Sequence, residues 1–254
     1  MSICLSMVSH QQAALANLFL ADLSRSPELD QTVVIENVPE TTALQVPGGA
    51  LHLVNAQPMG FAENHNQAFA LCEQPFFCVA NPDIRLPNNP FPGLLSCFDD
   101  PRVGVVAPLV LNPAGQTEDN ARHFPSPWNL LIKGLGGHDG RYDVRKFSPA
   151  QDVPVEWAAG MFLLFRTEAF QEVGGFDDKF HLYYEDVDIC TRLWKAGWKV
   201  MLKPDVSVVH AAQRASRSNP QYTAWHASSM ARYFFKHLGR LPRIERIASV
   251  SKGV

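Results

Sequence analysis

An alternation of short apolar runs with helix-patterned segments fills the first hundred residues and restricts the folds open to this chain. Residues 3–8 read as a buried strand, and 11–23 as a helix with apolar residues on more than one face. Further strands are predicted at 32–35, 50–54, 75–80 and 103–107, with helices at 61–72 and 92–98. Strand–helix repetition of this kind points to an α/β fold with a doubly wound, mostly parallel sheet, because each parallel crossover needs a covering helix. The middle breaks the rhythm. Residues 112–152 are rich in Gly, Pro, Asn and Asp, with only a weak helical signal at 128–133, and a loop that long inside a compact domain is usually functional or partly disordered. A strand at 153–157, an apolar segment through residue 165, and helices at 167–173 and 185–196 follow, the last closing at Gly197 as a helix stop should. Short strands at 200–202 and 206–209 and a helix at 222–238 complete a single domain in two lobes over 1–240, with a tail at 241–254.

Composition narrows the setting. At 46% hydrophobic and 19% charged, the 254 residues can bury a sizeable core. The longest strongly apolar stretch, 157–165, is too short to span a bilayer. The first basic residue is Arg25, so the apolar run at 13–21 makes a poor signal peptide. The five cysteines form no Cys-x-x-Cys pair, which argues against a zinc site or a disulfide framework. These features lead to the expectation of a soluble cytosolic protein. Charge is unevenly divided: residues 203–254 carry nine basic and two acidic side chains, the rest 13 basic and 23 acidic. Such a basic end either meets phosphate or an anionic membrane surface, or is a solvated helix with ordinary surface arginines.

Three clusters can carry chemistry. Asn81-Pro82-Asp83 stands where a strand stops, the place where open α/β sheets bind ligands. Asp83 offers hard oxygen ligation for Mg²⁺ or Mn²⁺ and Asn81 a neutral carbonyl oxygen, although the tripeptide is also an ordinary turn. In Tyr183-Tyr184-Glu185-Asp186-Val187-Asp188 three acids gather at a helix start, where the macrodipole alone would favour them. Asp188 can pair with Arg192 one turn on, a structural role. Glu185 and Asp186 point about 100° apart and suit divided tasks, one accepting a proton and one orienting or binding. His210 ends a strand and is either surface or core filler or, if it faces the crevice of Asp83, a metal ligand. Arg214 and Arg217 behind it could clamp a phosphate.

The segments Trp157-Ala158-Ala159-Gly160-Met161, Val173-Gly174-Gly175-Phe176-Asp177, Tyr183 through Cys190, Ala196-Gly197-Trp198 and His210 together resemble the family 2 inverting glycosyltransferases, in their rhamnosyltransferase-like branch. Gly60-Phe61 with Asn66, Asn81-Pro82-Asp83-Ile84 and Val103-Gly104-Val105-Val106 match that branch in the same order, and the resemblance covers about residues 3–238. It implies a GT-A fold: a Rossmann-like, mostly parallel sheet flanked by helices, with a nucleotide-sugar half (1–110), an acceptor-binding and catalytic lobe (150–240) and a C-terminal helix. It further implies that Asp83, with Asn81 and His210, holds a divalent ion, that Asp186 is the general base, and that Glu185 is its neighbour in the acceptor site. Trp157 and Gly160 would line that site, glycine because a backbone must approach the sugar closely. Asn66, and Arg214 at the phosphates, fall to the donor.

The first strands depart from the family pattern. Ser9-His10-Gln11 stands for Thr-Tyr-Asn and Glu36-Asn37-Val38-Pro39 for Asp-Asn-x-Ser, at positions that cradle base and ribose. Glu36 can keep the carboxylate's hydrogen bond with one more methylene, and His10 either stacks on the base or is an exposed loop residue. The expected donor is dTDP-L-rhamnose or a similar dTDP- or UDP-linked hexose. The expected acceptor is a hydroxyl of a lipid-linked glycan or cell-surface polysaccharide, reached at the inner face of the plasma membrane through the basic C-terminus. No nucleic-acid partner is expected, and no motif sets an oligomeric state. The alternative is a degenerate GT-A domain that binds nucleotide or glycan without turnover. A sugar nucleotidylyltransferase would want a Gly-rich, basic phosphate loop after the first strand, and residues 8–14 have none.

Overall fold

The structure is a computed structural model that describes residues 1–126, 140, 142, 151–211, 220–237, 239–242 and 244. The weak helical signal at 128–133, Arg214, Arg217 and nearly all of the basic tail lie outside the described residues.

Among the described residues nine strands form one mixed sheet. The first half supplies β1 (Ile3–His10), β2 (Leu29–Val38), β3 (Leu51–Val54), β4 (Phe76–Ala80), β5 (Ile84–Arg85) and β6 (Val103–Leu111). A small two-stranded sheet pairs β7 (Ala121–Arg122) with β9 (Trp157–Ala158), and β8 (Val153–Pro154), β10 (Phe162–Arg166) and β11 (Lys199–His210) return to the main sheet. The order is β3-β2-β1-β4-β10-β6-β11-β5, with β8 paired to β11, so strands from both ends of the chain share one sheet. Parallel pairing joins β1 to β2 and β4, β2 to β3, and β6 to β11.

Among the described residues the helices are α1 (Ala13–Leu23), α2 (Phe61–Phe69), α3 (Phe91–Ser96), α4 (Thr167–Glu172), α5 (Glu185–Ala196) and α6 (Pro220–His237). Strand side chains alternate between faces, and each face has its own core. In β4, Phe76, Cys78 and Ala80 pack with Phe19 and Leu20 of α1 and Phe91 and Leu94 of α3. Phe77 and Val79 pack on the other side with Ala62 of α2, Phe170 of α4 and Ile189 and Leu193 of α5. A smaller cluster of Phe124, Phe180, Tyr184 and Val187 closes around Tyr233 of α6.

Three features differ from the sequence reading. The single strand expected at 153–157 divides into β8, which pairs with β11 in the main sheet, and β9, which pairs with β7 in the small one. The apolar segment before residue 166 becomes β10, which runs antiparallel between β4 and β6 at the centre of the sheet. Its first four residues are buried on both faces, a pattern that marks a central strand but carries no direction. The two short strands at 200–202 and 206–209 are one strand, β11. Lys203 faces Pro108 while Ser207 faces Leu109, so residues 204–206 bulge from the ladder. Pro204 has no N–H to give a ladder bond, which is the reason for the bulge and for the apparent break.

Candidate active site

The Asn-Pro-Asp turn follows β4 directly. Asn81 N–H donates to the Met161 carbonyl at 2.9 Å, and Ile84 N–H closes the turn on Asn81 at 3.3 Å. Asp83 is buried, and its carbonyl accepts the Ala211 N–H at 2.8 Å. Pairing of His210 with Ile84 across β11 and β5 brings the imidazole beside Asp83. His210 Nε2 lies 3.1 Å from Asp83 Oδ2, and Nδ1 lies 2.7 Å from Glu118 Oε2. Burial alone would push this imidazole down, but hydrogen bonds and charge from Asp83 and then Glu118 outweigh it and hold it above its ordinary value.

Asp83 Oδ1 is buried without a hydrogen-bond partner, an unusual state for a carboxylate oxygen unless something absent from the protein itself satisfies it. Among the described residues no group of three His, Cys, Asp or Glu side chains is arranged to hold a metal by itself. Asp83 and His210 nevertheless fit a divalent ion that completes its shell from a ligand's phosphates, as Mg²⁺ commonly does. Asn81 is half-buried on the same turn.

The second group of acids opens α5. Tyr183 and Tyr184 both have left-handed backbones, with φ of 68° and 67°. Two successive non-glycine residues in that region are rare, and the tertiary structure must hold them there. Aromatic contacts do so in part: both tyrosine rings meet His226 of α6, and Tyr184 also meets Tyr233. The resulting corner drives Glu185 inward, where its Oε2 is buried and unpartnered. Burial, and then the charge of Asp186, push the Glu185 carboxyl well above the ordinary range. Asp186 is also raised by burial, opposed by hydrogen bonds from backbone N–H groups. Gly160 N–H donates to its Oδ2 at 3.1 Å and its own neighbour Val187 N–H to Oδ1 at 2.8 Å.

Gly160 and Met161 therefore join the two groups. One residue binds Asp186, and the next binds the Asn-Pro-Asp turn. A side chain at 160 would meet the Phe61 ring at 3.2 Å and Asp186 Cβ at 3.7 Å. Trp157, three residues upstream, is fixed by its indole N–H to the His123 carbonyl at 3.0 Å.

Asp188 belongs to the scaffold. Its side chain is fully buried, and it takes Arg192 Nε at 2.7 Å and Lys236 Nζ and His237 Nε2 at 2.8 Å. The i+4 pairing with Arg192 matches the spacing in the sequence; the two partners on α6 are not visible there.

The positions expected to cradle the nucleotide lie at the ends of β1 and β2. Ser9 is buried, and His10 is exposed with Nδ1 3.0 Å from the Asn37 amide. Glu36 Oε2 lies 3.3 Å from His52 Nε2. Asn66 spends its amide on the chain itself, donating to the Phe176 carbonyl at 2.8 Å and accepting from the Phe176 N–H at 2.9 Å. Glu118 escaped the sequence reading; the turn residues Asn112-Pro113-Ala114-Gly115 before it were the only local signal.

Comparison with known proteins agrees with this architecture. A family model described as glycosyl transferase family group 2 matches residues 83–228, more than half of the chain. N-acetylglucosaminyl-diphospho-decaprenol L-rhamnosyltransferase of Mycobacterium tuberculosis is 29% identical over 252 residues, covering 87% of this chain and 80% of the relative. Rhamnosyltransferase WbbL of Escherichia coli K12 is 25% identical over 257 residues, covering 96% of this chain and 97% of the relative. Among solved structures, GalNAc-T7 with UDP, GalNAc and Mn²⁺ superposes with a TM-score of 0.69 at 16% identity, over 92% of this chain and 48% of that one. The fold is thus the GT-A fold of glycosyltransferases.

Proposed function

Because the chain belongs to glycosyl transferase family group 2 and is a glycosyltransferase, we propose that it transfers a hexose with inversion, L-rhamnose from dTDP-rhamnose, to a hydroxyl of a lipid-linked glycan or cell-surface polysaccharide. The observation that carries this reading is the Gly160–Met161 segment, whose backbone holds the turn of Asp83 on one side and Asp186 on the other. Inverting transfer needs a base on one face of the sugar carbon and a stabilised leaving group on the opposite face, with no covalent intermediate. The two rhamnosyltransferase relatives support the choice of sugar.

Asp186 takes the proton of the acceptor hydroxyl. Two backbone N–H groups aim its carboxylate, and burial raises its affinity for the proton it must accept. Glu185, held toward its protonated form, offers a hydrogen bond to the acceptor. Gly160 and Trp157 form the wall against which the acceptor sugar lies. Ser9, His10 and Glu36, with Asn66 behind, form the nucleotide end, and Arg214 a phosphate clamp. Asp83 and His210, with Asn81 beside them, would hold a Mg²⁺ or Mn²⁺ ion, whose chemistry there would be Lewis-acid stabilisation of the leaving diphosphate.

Among the described residues no helix is long and apolar enough to cross a membrane. The balance of +7 over residues 203–254 (nine basic, two acidic) instead suits contact with an anionic surface, where a lipid-linked acceptor would be found. A cytoplasmic protein lying on the inner face of the plasma membrane is the corresponding location. Sedimentation with anionic vesicles should weaken steeply as salt rises, and salt-independent binding would refute the electrostatic contact.

The test of the activity is a thermal-shift panel of UDP, dTDP, GDP and CDP, each with and without Mn²⁺ or Mg²⁺. A metal-dependent rise with dTDP or UDP is the expected result, since a ligand that binds only the native state raises the midpoint. Asp186→Ala should then lose roughly 10²–10⁴-fold in turnover while keeping that shift. If no nucleotide moves the midpoint under any metal, a non-catalytic GT-A domain is the better description.

A further inference from the structure

We infer that Glu118 is a positioning residue for His210: its carboxylate fixes the imidazole so that Nε2 faces the Asp83 pocket as a metal ligand. This rests on the reading of Asp83 and His210 as the ion's protein ligands.

An imidazole presents two nitrogens, and the hydrogen bond made by one decides which lone pair the other offers. Here Glu118 Oε2 stands 2.7 Å from Nδ1, which places the donated proton on that nitrogen and turns Nε2 toward Asp83 Oδ2, 3.1 Å away. Among the described residues the Glu118 carboxylate makes no other hydrogen bond or ion pair. Its location is built by backbone, not by its own charge. After β6 the chain turns back at Asn112, whose Oδ1 accepts the N–H groups of Ala114 and Gln116 at 2.9 and 3.0 Å. Gly115, with φ of 75°, supplies the left-handed residue that this turn requires. Leu111 then bridges Thr117, and Glu118 N–H donates to the Val110 carbonyl at 2.7 Å. Val209 pairs with Leu111 in the parallel β6–β11 ladder, so the returning hairpin sets Glu118 beside the residue that follows, His210.

A carboxylate behind a ligating histidine orients the ring and increases its basicity toward the ion, and removing such a partner typically costs about 10–100-fold in metal affinity. The second oxygen of Asp83, buried and unpartnered, marks the side from which the ion is held. The negative charge of Glu118 also partly offsets that of the cation at a site whose protein donors are one carboxylate and one imidazole.

Mn²⁺ titration of the intact chain in the presence of dTDP, read from the loss of the free-ion electron paramagnetic resonance signal beyond that caused by the same dTDP without protein, tests this. Wild type, Glu118→Ala, Glu118→Gln and His210→Ala are compared, with thermal melts in metal-free buffer to show that each is folded. Glu118→Ala should weaken Mn²⁺ binding about 10–100-fold, and Glu118→Gln, whose side-chain carbonyl can accept the same Nδ1–H, should recover most of it. Weakening by His210→Ala but not by Glu118→Ala overturns the role of Glu118 and leaves the ligand reading intact. Equal binding by wild type and His210→Ala, or none by wild type, overturns both. Equal weakening by Gln and Ala refutes the hydrogen-bond mechanism.

Discussion

Replacing Asp188 with Asn should unlock the C-terminal helix from the acidic helix. Its carboxylate, fully buried, faces Arg192 one turn on and Lys236 and His237 from α6, all at 2.7–2.8 Å. Burial alone would raise this carboxyl, but the His237 hydrogen bond and the charges of Arg192 and Lys236 bring it down to about 2, against an ordinary 3.8. At about 1.4 kcal/mol per pH unit, the gap of about 1.8 (3.8 − 2) corresponds to about 2–3 kcal/mol of pH-linked stability. Removing one partner of a buried charged cluster costs more, roughly 3–5 kcal/mol, because the others stay buried and uncompensated. At roughly 2–4 °C per kcal/mol for a chain of this size, the midpoint at pH 7 should fall by at least about 6 °C. The sign with pH is fixed. A carboxyl with a depressed folded value stabilises above its unfolded value, and that contribution is lost as pH falls from about 4 through about 2. The gap between wild type and Asp188→Asn should therefore narrow at pH 3, by about half of the pH-linked part. Circular dichroism melts of both proteins at pH 7 and pH 3 measure this. A gap below about 1 kcal/mol at pH 7, or one that does not change between the two pH values, would refute the reasoning.

Glu185→Gln should behave in the opposite sense. A raised folded value means that the unfolded chain loses this proton first, so wild type loses stability as pH climbs from about 4.5 through the raised value. The glutamine variant escapes that loss: its melts should be the higher at pH 8, with the difference closing below pH 4, and an unchanged difference across that range refutes it. Gly60→Ala introduces a Cβ that would sit 2.7 Å from the His181 carbonyl, which also accepts the Phe61 N–H at 3.2 Å. The backbone must move, at a cost of roughly 1–3 kcal/mol, and Phe61, which packs against Gly160, moves with it. A urea midpoint equal to wild type would show that the approach of these two segments is looser than drawn.

Much of the scaffold was legible because it is local. An unbroken apolar run marks β4 as buried on both faces, Gly197 stops α5 with φ of 93°, and the four-residue spacing of Asp188 and Arg192 foretells their pair. Turn chemistry likewise placed the carboxylate of Asp83 just beyond a strand end. Pro204 misled the reading of β11, since a proline breaks the ladder without ending the strand. The direction of β10 was equally invisible: a strand buried on both faces looks the same whether its neighbours run with it or against it.

The sequence by itself determined the family, the α/β alternation and which residue types are available for chemistry. Tertiary structure alone decided which of them meet. Glu118 reaches His210 across 92 residues of chain, Asp188 reaches His237 across 49, and the backbone of Gly160 reaches Asp186 across 26. Periodicity reports only what lies within a turn or a strand of itself. Convergence at this site follows from strand order, ladder register and one hairpin's return, which exist only once the sheet has closed around both halves of the chain.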